Sequence, residues 1–184
     1  MNMKKYTATA LVALTLTATN AYANTLTVDS VTGVWENAVA DPVGGTISGT
    51  GTSTITWGNP SGQPQQSGYT FVGAAPPSVT FNEGEQFLLG TFTHNNFPIT
   101  GTSLDTVDLQ VSIGIAGHAC PVETVFSFDH FETPNNANPC AGGGPNPCGD
   151  VVTTTLNTGM SETFDIDGVE YIFNVLGFST DMGV

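Results

Sequence analysis

The feature that most constrains the fold is the alternation in residues 107–115, VDLQVSIGI. Apolar side chains occupy every odd position, and polar or small residues occupy every even position. Successive side chains of a β-strand point to opposite faces, so this pattern predicts a strand with one face in a core and the other toward solvent.

A second alternating pattern lies near the C-terminus of the sequence. Residues 164–166 and 169–175 both alternate, and the dipeptide Asp167-Gly168 separates them, which is a hairpin signal. Weaker strand patterns cover 26–30, 53–57, 87–93, 122–128 and 151–156. No stretch shows helical spacing of its apolar residues.

The predicted strands are separated by loops rich in Gly, Pro, Asn and Gln, at 41–51, 58–68, 73–77 and 132–150. Several short strands with one apolar face, joined by such loops, favour two antiparallel sheets packed face to face. The sequence therefore predicts an all-β protein with one domain, an antiparallel β-sandwich of jelly-roll-like form. It contains no internal repeat and no linker between domains.

The N-terminus has the organisation of a secretory signal peptide. Lys4 and Lys5 precede an apolar, threonine-rich core, and small residues end the segment at Ala21-Tyr22-Ala23. Threonines interrupt the apolar run too often for a membrane span. We predict cleavage after residue 23, no membrane insertion of the product, and a secreted domain of residues 24–184, located outside the cell or at its surface.

Removal of residues 1–23 would also remove every Lys and Arg of the chain, because Lys4 and Lys5 are the only two. The remaining 161 residues carry 16 carboxylates, hence a formal charge of −16 with the histidines neutral. Nucleic acids and anionic membranes are thereby excluded as partners, since their phosphates are bound mainly by basic side chains. Salt, bound divalent cations or wide spacing of the acids must relieve the repulsion, which leaves calcium open as a cofactor.

The three cysteines predict one disulfide and one remaining thiol in an oxidising compartment. Cys140 and Cys148 are the favoured pair, because they flank the flexible segment AGGGPNP. Closing this loop would contribute about 2–3 kcal/mol in the chain-entropy model. Pairing of Cys120 with either of the other two is the alternative.

Two groups of residues have types that occur in active sites. His118 and Cys120, with His130, could form a thiolate–base pair or a metal site, but a reactive thiolate needs a nearby cation and an oxidising compartment favours disulfides. Ser127 and Asp129 precede His130 on one predicted strand, and such neighbours point to opposite faces. We predict no catalytic residues and no enzyme.

Two further groups of residues have types that bind ligands. Residues 165–170, DIDGVE, resemble a calcium loop only faintly, because their spacing does not match the EF-hand pattern. The hairpin explains Asp167-Gly168 without a metal. Trp57, Tyr69 and Phe97 adjoin loops and could form an aromatic platform for sugar rings. Burial in the core is the interpretation that we favour for these aromatic residues.

Residues 87–99, FLLGTFTHNNFPI, resemble the signature of the THxN family of exported bacterial proteins, also called the choice-of-anchor K domain. The name-giving residues match Thr93, His94, Asn95 and Asn96. Similar stretches are 53–60, 67–71, 131–135 and 171–178, so that the resemblance spans nearly all of residues 24–184.

The resemblance implies a β-rich surface or matrix domain without established activity, often followed by a PEP-CTERM type of sorting tail. The sequence ends at Val184 without such an anchor, which indicates either a missing C-terminal end or a protein that is released. We predict that residues 94–96 stabilise a turn after a strand.

The function predicted from the sequence is a secreted surface or extracellular-matrix module without catalytic activity, with a surface or matrix polysaccharide as partner. A calcium-stabilised glycan-binding or adhesion module is the first alternative. A secreted hydrolase is the second.

Overall fold

A computed structural model of the protein describes residues 5–15, 25–74, 79–82, 85–155 and 163–179. Within these ranges the chain forms fourteen strands and no helix, which confirms the predicted all-β class. It follows that the described residues contain no helix capable of crossing a membrane.

The strands are numbered in chain order. They are β1 (Lys5–Thr15), β2 (Thr25–Asp41), β3 (Ile47–Ser48), β4 (Thr54–Trp57), β5 (Asn59–Pro60), β6 (Ser67–Gly73), β7 (Val79–Asn82), β8 (Gln86–Asn95), β9 (Ile99–Thr100), β10 (Ser103–Ile115), β11 (Val122–Phe131), β12 (Val151–Thr155), β13 (Phe164–Ile166) and β14 (Val169–Ser179).

Two antiparallel sheets contain most of these strands. The seven-stranded sheet has the order β13-β14-β1-β8-β6-β4-β3, and the five-stranded sheet has the order β12-β11-β10-β2-β7. Strands β5 and β9 pair separately. The sheets do not close into a barrel, which is consistent with the predicted β-sandwich.

The core consists of apolar side chains that both sheets contribute. Burying them removes their surface from water, at about 25 cal/mol for each Å². The largest fully buried members are Trp35, Trp57, Tyr69, Tyr171, Phe126, Phe173, Ile55, Leu89, Leu104, Leu109 and Ile113. Every element that carries the candidate site described below therefore rests on one continuous core.

The alternation in residues 107–115 is confirmed in β10. Val107, Leu109, Val111, Ile113 and Ile115 are all buried, and the residues between them are half-exposed. Strand β10 pairs with β11 on one side and β2 on the other, so this inward face lies at the centre of the five-stranded sheet.

The predicted hairpin is also confirmed. Asp167 and Gly168 join β13 to β14 with φ angles of 54° and 82°, the left-handed conformations that a two-residue turn of this kind requires. The Asp165 carboxylate accepts a hydrogen bond of 3.0 Å from the Gly168 amide. In residues 165–170, Asp165 therefore stabilises the turn.

The sequence underestimated two strands. The pattern at 26–30 is only the beginning of β2, which continues to Asp41. Strand β6 begins and ends within the predicted loops at 58–68 and 73–77. Gly33 lies where these two strands meet, because a Cβ there would be 2.4 Å from Cδ1 of Phe71. Asn37, with φ of 52°, interrupts the alternation further along β2.

Strand β1 lies within the segment that the sequence predicts to be an export signal. It pairs with β8 over nine residues and with β14 over seven, in the middle of the seven-stranded sheet. Cleavage after residue 23 stays a prediction. Residues 180–184, on which the expectation about an anchor rests, lie outside the described residues.

Candidate functional site

The first residue of the candidate site, His94, belongs to β8. The inward positions of this strand include Phe92 and then His94, a residue that is 2% exposed. His94 pairs with Tyr69 of the neighbouring β6, and their ring centroids are 5.0 Å apart. Period-two geometry thus places an imidazole in the core of the sandwich.

The second residue, His130, comes from the opposite sheet. It follows Phe126 and Phe128 on the inward face of β11 and is 5% exposed. Its Nδ1 lies 2.6 Å from the Tyr69 hydroxyl, a buried hydrogen bond that joins the two sheets. The ring centroids of His94 and His130 are 5.4 Å apart.

The third residue, Asp150, immediately precedes β12. Its Oδ1 accepts a hydrogen bond of 3.0 Å from the Thr133 amide, and the Thr133 hydroxyl donates to the Gly149 carbonyl at 2.8 Å. These bonds join the two ends of the long loop at 132–150. With Oδ1 held in this way, Oδ2 faces the histidines.

Together His94, His130 and Asp150 form what we call the buried cluster. One ligand atom from each lies within 4.8 Å of the others. Asp150 Oδ2 is 3.5 Å from His94 Nε2 and 3.9 Å from His130 Nε2. Glu132 Oε2, on a side chain that is 22% exposed, is 3.5 Å from His130 Nε2 and forms the rim of the cluster.

Aromatic side chains surround the imidazoles. Trp57 lies with its ring centroid 5.0 Å from that of His130 and stacks on His94 at 6.2 Å. Tyr69 contacts both histidines and also Trp57. This packing excludes bulk water from the cluster and fixes the planes of the two imidazole rings.

Four buried polar side-chain atoms of the described residues have no hydrogen-bond partner. Among the described residues, the buried side-chain atoms in this state are His94 Nε2, Asp150 Oδ2, Trp57 Nε1 and Gln63 Nε2. Most buried polar atoms in folded proteins are hydrogen-bonded, so each exception requires an explanation. Two of the four belong to the buried cluster and face one another.

Burial determines the charge states of these groups. Desolvation, followed by repulsion from His130, lowers the pKa of His94 from 6.5 to about 3, so its imidazole is neutral at pH 7. Desolvation and the nearby Glu132 raise the pKa of Asp150 from 3.8 to about 6. Burial, Asp150 and Glu132 raise the pKa of Tyr69 well above 10. At pH 7 the cluster therefore presents a neutral His94 imidazole beside a largely ionised Asp150.

The donor atoms of the buried cluster indicate the kind of ion that would fit it. Neutral imidazole nitrogen is a ligand for zinc and other transition metals, whereas calcium and magnesium take oxygen ligands. Within the described ranges, the buried cluster is the one group of three or more such side chains close enough to share an ion. These residues therefore lend no support to a calcium site.

The family motif lies at the end of β8, which finishes at Asn95. Thr93, Asn95 and Asn96 are half-buried, while His94 points into the core. The turn that follows is held by Ser67, whose hydroxyl hydrogen-bonds the backbone of Phe97 at 3.1 Å. The prediction that His94 stabilises this turn is wrong, because its side chain faces the opposite sheet.

The predicted disulfide is confirmed. Cys140 and Cys148 are joined by a bond of 2.03 Å, with Cα atoms 5.3 Å apart. The Cys148 amide donates to the Asn135 carbonyl, and Asp150 follows two residues later. The disulfide thus holds the segment that leads into the buried cluster.

The remaining candidates are not brought together. Cys120 is an exposed free thiol, and the nearby His118 imidazole contacts its carbonyl oxygen. Ser127 and Asp129 are exposed on the opposite side of β11 from His130, as predicted. The aromatic platform is not formed, because Trp57 and Tyr69 are fully buried.

The meeting of His94, His130 and Asp150 is not predicted by the sequence patterns. The alternation did contain part of the signal, since each histidine follows a phenylalanine two positions earlier on an inward strand face. Nothing in either strand, however, shows that the two histidines face one another across the sandwich. Asp150 gave no signal beyond its position after a long loop.

The fold and the site together define an antiparallel β-sandwich with a histidine–carboxylate cluster in its core. No protein-family model matches the chain, and no curated protein matches it. The resemblance to the THxN family stays a prediction.

Proposed function

We propose that the protein is a secreted surface or extracellular-matrix module without catalytic activity. The observation that carries this proposal is the enclosure of the buried cluster. His94 and His130 are almost fully buried, and the Asp150 side chain has no exposed area. A substrate must contact the groups that act on it. The side chains of the cluster, whose types suit acid–base chemistry, are enclosed by protein and do not offer that contact.

The part of the molecule offered to a partner is the outer face of the five-stranded sheet. Asp108 accepts hydrogen bonds from Asn37 at 2.9 Å and Ser127 at 2.7 Å. Further along, Glu123 accepts from Gln110 and Ser112. We call this surface the acidic face; its carboxylates, amides and hydroxyls are hydrogen-bonding groups that also suit the hydroxyls of a sugar.

The acidic face also carries an exposed aromatic ring. Phe131 at the end of β11 is 59% exposed, and Val125 on the same face is 37% exposed. An exposed ring beside hydrogen-bonding groups supports a polysaccharide as the partner. The absence of Lys and Arg after residue 5 favours a neutral polymer over an anionic one.

Co-sedimentation with neutral and anionic matrix polysaccharides tests the proposal. We expect the protein to sediment with the neutral polymer. Phe131→Ala should weaken this binding, and so should Asp129→Asn, since Asp129 is exposed on the same outer face of β11. Val72→Ala is the matched control, because Val72 is 61% exposed but lies on β6 of the other sheet. Release of sugar fragments, or binding that none of the acidic-face variants changes, would contradict the proposal.

The calcium-stabilised adhesion module is separated from this proposal by the same assay. Binding of the polysaccharide should be equal in chelator and in millimolar calcium, since the donor atoms of the buried cluster do not suit calcium. Binding that requires calcium would favour the alternative.

A further inference from the structure

The buried cluster brings together side chains from three separate parts of the chain. His94 belongs to the seven-stranded sheet, His130 to the five-stranded sheet, and Asp150 to the end of the disulfide-closed loop. Folding positions their ligand atoms within 4.8 Å of one another inside the core. Such convergence of polar groups in an apolar interior costs free energy unless they are satisfied.

Two atoms of the cluster are not satisfied by the protein. His94 Nε2 and Asp150 Oδ2 are 3.5 Å apart, yet neither makes a hydrogen bond. A direct histidine–aspartate hydrogen bond is the alternative explanation for this contact. It would require a proton on one of the two atoms and hydrogen-bond geometry between them, and the structure shows no such bond. A cation accounts better for both atoms at once, because each would direct a lone pair toward it.

The distances are close to those of a metal site. Ligand atoms around a tetrahedral zinc ion are separated by about 3.4 Å, given bonds of about 2.1 Å. In the structure Asp150 Oδ2 is 3.5 Å from His94 Nε2 and 3.9 Å from His130 Nε2. Small side-chain shifts would therefore complete the geometry, and Glu132 lies near enough to be the fourth ligand.

Tyr69 supplies a contact that metal-binding histidines commonly have. In metal sites the second ring nitrogen of a histidine usually donates to an oxygen, which fixes the tautomer. The Tyr69 hydroxyl is 2.6 Å from His130 Nδ1 and can accept this proton. In that tautomer Nε2 does not donate to Glu132 Oε2, 3.5 Å away, and its lone pair is available to a metal ion. Tyr69 is then a positioning residue for the site.

We propose that His94, His130 and Asp150 bind a transition-metal ion of the zinc type, with Glu132 as a fourth ligand at the rim. The ion cross-links the two sheets and the disulfide-closed loop, and its role is structural because aromatic side chains enclose it. Calcium is a poor occupant, since two of the ligands are imidazoles.

The test is titration of the purified, metal-free protein with Zn²⁺ and, separately, with Co²⁺. Zn²⁺ should bind with a stoichiometry of one and raise Tm by about 5–10 °C at a concentration 100-fold above Kd. Co²⁺ should give the visible absorption of a tetrahedral site with nitrogen and oxygen ligands. Calcium in place of zinc should leave Tm unchanged.

Variants assign the site to these residues. Asp150→Asn keeps the acceptor for Thr133 but loses the carboxylate charge, and His94→Gln removes one nitrogen ligand. Each should weaken Zn²⁺ binding by more than the ~10–100-fold that an outer-shell partner contributes. His118→Gln is the matched control, because His118 lies outside the cluster and beside the free Cys120.

If His94→Gln does not fold, the near-isosteric variant Asp150→Asn tests by itself whether Zn²⁺ binds at the buried cluster. Loss of the Co²⁺ absorption in folded Asp150→Asn, with full binding by His118→Gln, is the expected result. The proposal is overturned if Zn²⁺ does not bind the wild-type protein, or if the binding depends on His118 and is unaffected in Asp150→Asn.

Discussion

Tyr69 and His130 stand 61 positions apart in the sequence and share a buried hydrogen bond of 2.6 Å between the two sheets. Tyr69 belongs to β6 and His130 to β11, so this bond connects the middle of one sheet with the other. Both side chains also pack against Trp57, so that the aromatic core is in direct contact with the buried cluster.

Tyr69→Phe should lower the free energy of unfolding by about 1–3 kcal/mol. The substitution keeps the ring in the core but leaves His130 Nδ1 buried without its partner. It should also weaken Zn²⁺ binding about 10-fold, because the histidine tautomer is no longer fixed. Urea unfolding and zinc titration measure the two effects.

Tyr171→Phe is the control for this change, since Tyr171 is buried but stacks on Phe164, outside the cluster. It should leave zinc affinity unchanged. An equal loss of affinity in both variants would mean that Tyr69 acts only through general packing.

Asp150→Asn should change stability in a pH-dependent way in chelator. The pKa of Asp150 is raised to about 6, so between pH 6 and 4 the folded state holds a proton that the unfolded state lacks. Stability of the wild-type protein relative to the variant therefore increases as pH falls from 7 to 4, by at most about 3 kcal/mol.

The lowered pKa of His94 gives the opposite slope, because there the unfolded state binds the proton first. Its causes are burial and His130, so the slope is common to wild type and variant and disappears from their difference. Near pH 7.5 in chelator, Asp150→Asn should be the more stable of the two proteins, because the wild-type protein then buries an ionised carboxylate. Saturating Zn²⁺ should reverse this order. If the difference in unfolding free energy between wild type and Asp150→Asn does not vary with pH, burial does not raise the pKa of Asp150 and the prediction is wrong.

Replacing both Cys140 and Cys148 with serine should cost about 2.5 kcal/mol of stability in the chain-entropy model, for a sequence separation of eight. It should also weaken Zn²⁺ binding, since Asp150 follows the closed loop directly. Cys120→Ser is the control and should change neither quantity, because Cys120 is exposed and unpaired. Thermal unfolding and zinc titration of the three proteins provide the comparison.

A chain of residues 24–184 should be less stable than the full chain by several kcal/mol, because it lacks β1. Each backbone hydrogen bond contributes about 1 kcal/mol net, and β1 pairs on both sides. A synthetic peptide of residues 5–15 should restore part of the lost Tm, whereas a scrambled peptide should not. Equal stability of the two chains would show that β1 contributes nothing to the sheet.

The sequence was most informative where local rules determine structure. The alternation in β10 identified its buried face, Asp167-Gly168 identified a hairpin, and the short spacing of Cys140 and Cys148 identified the disulfide. In each case the residues that decide the outcome are neighbours in the chain.

The site depends on contacts that no local rule describes. His94 and Asp150 meet because β8 and the loop before β12 belong to different layers of one sandwich, and that arrangement follows from the order of all the strands. The burial favoured for Trp57 and Tyr69 from the sequence is confirmed. Their contacts with the opposite sheet, however, follow from the same arrangement of strands and not from any local pattern.

If residues 1–23 are the export signal that the sequence predicts, transport and folding compete for the same residues. A segment held by an export machine cannot at the same time form β1 and pair with β8 and β14. If residues 1–23 are cleaved as predicted, both neighbours face a gap one strand wide with unpaired backbone groups, which is a template for an added strand.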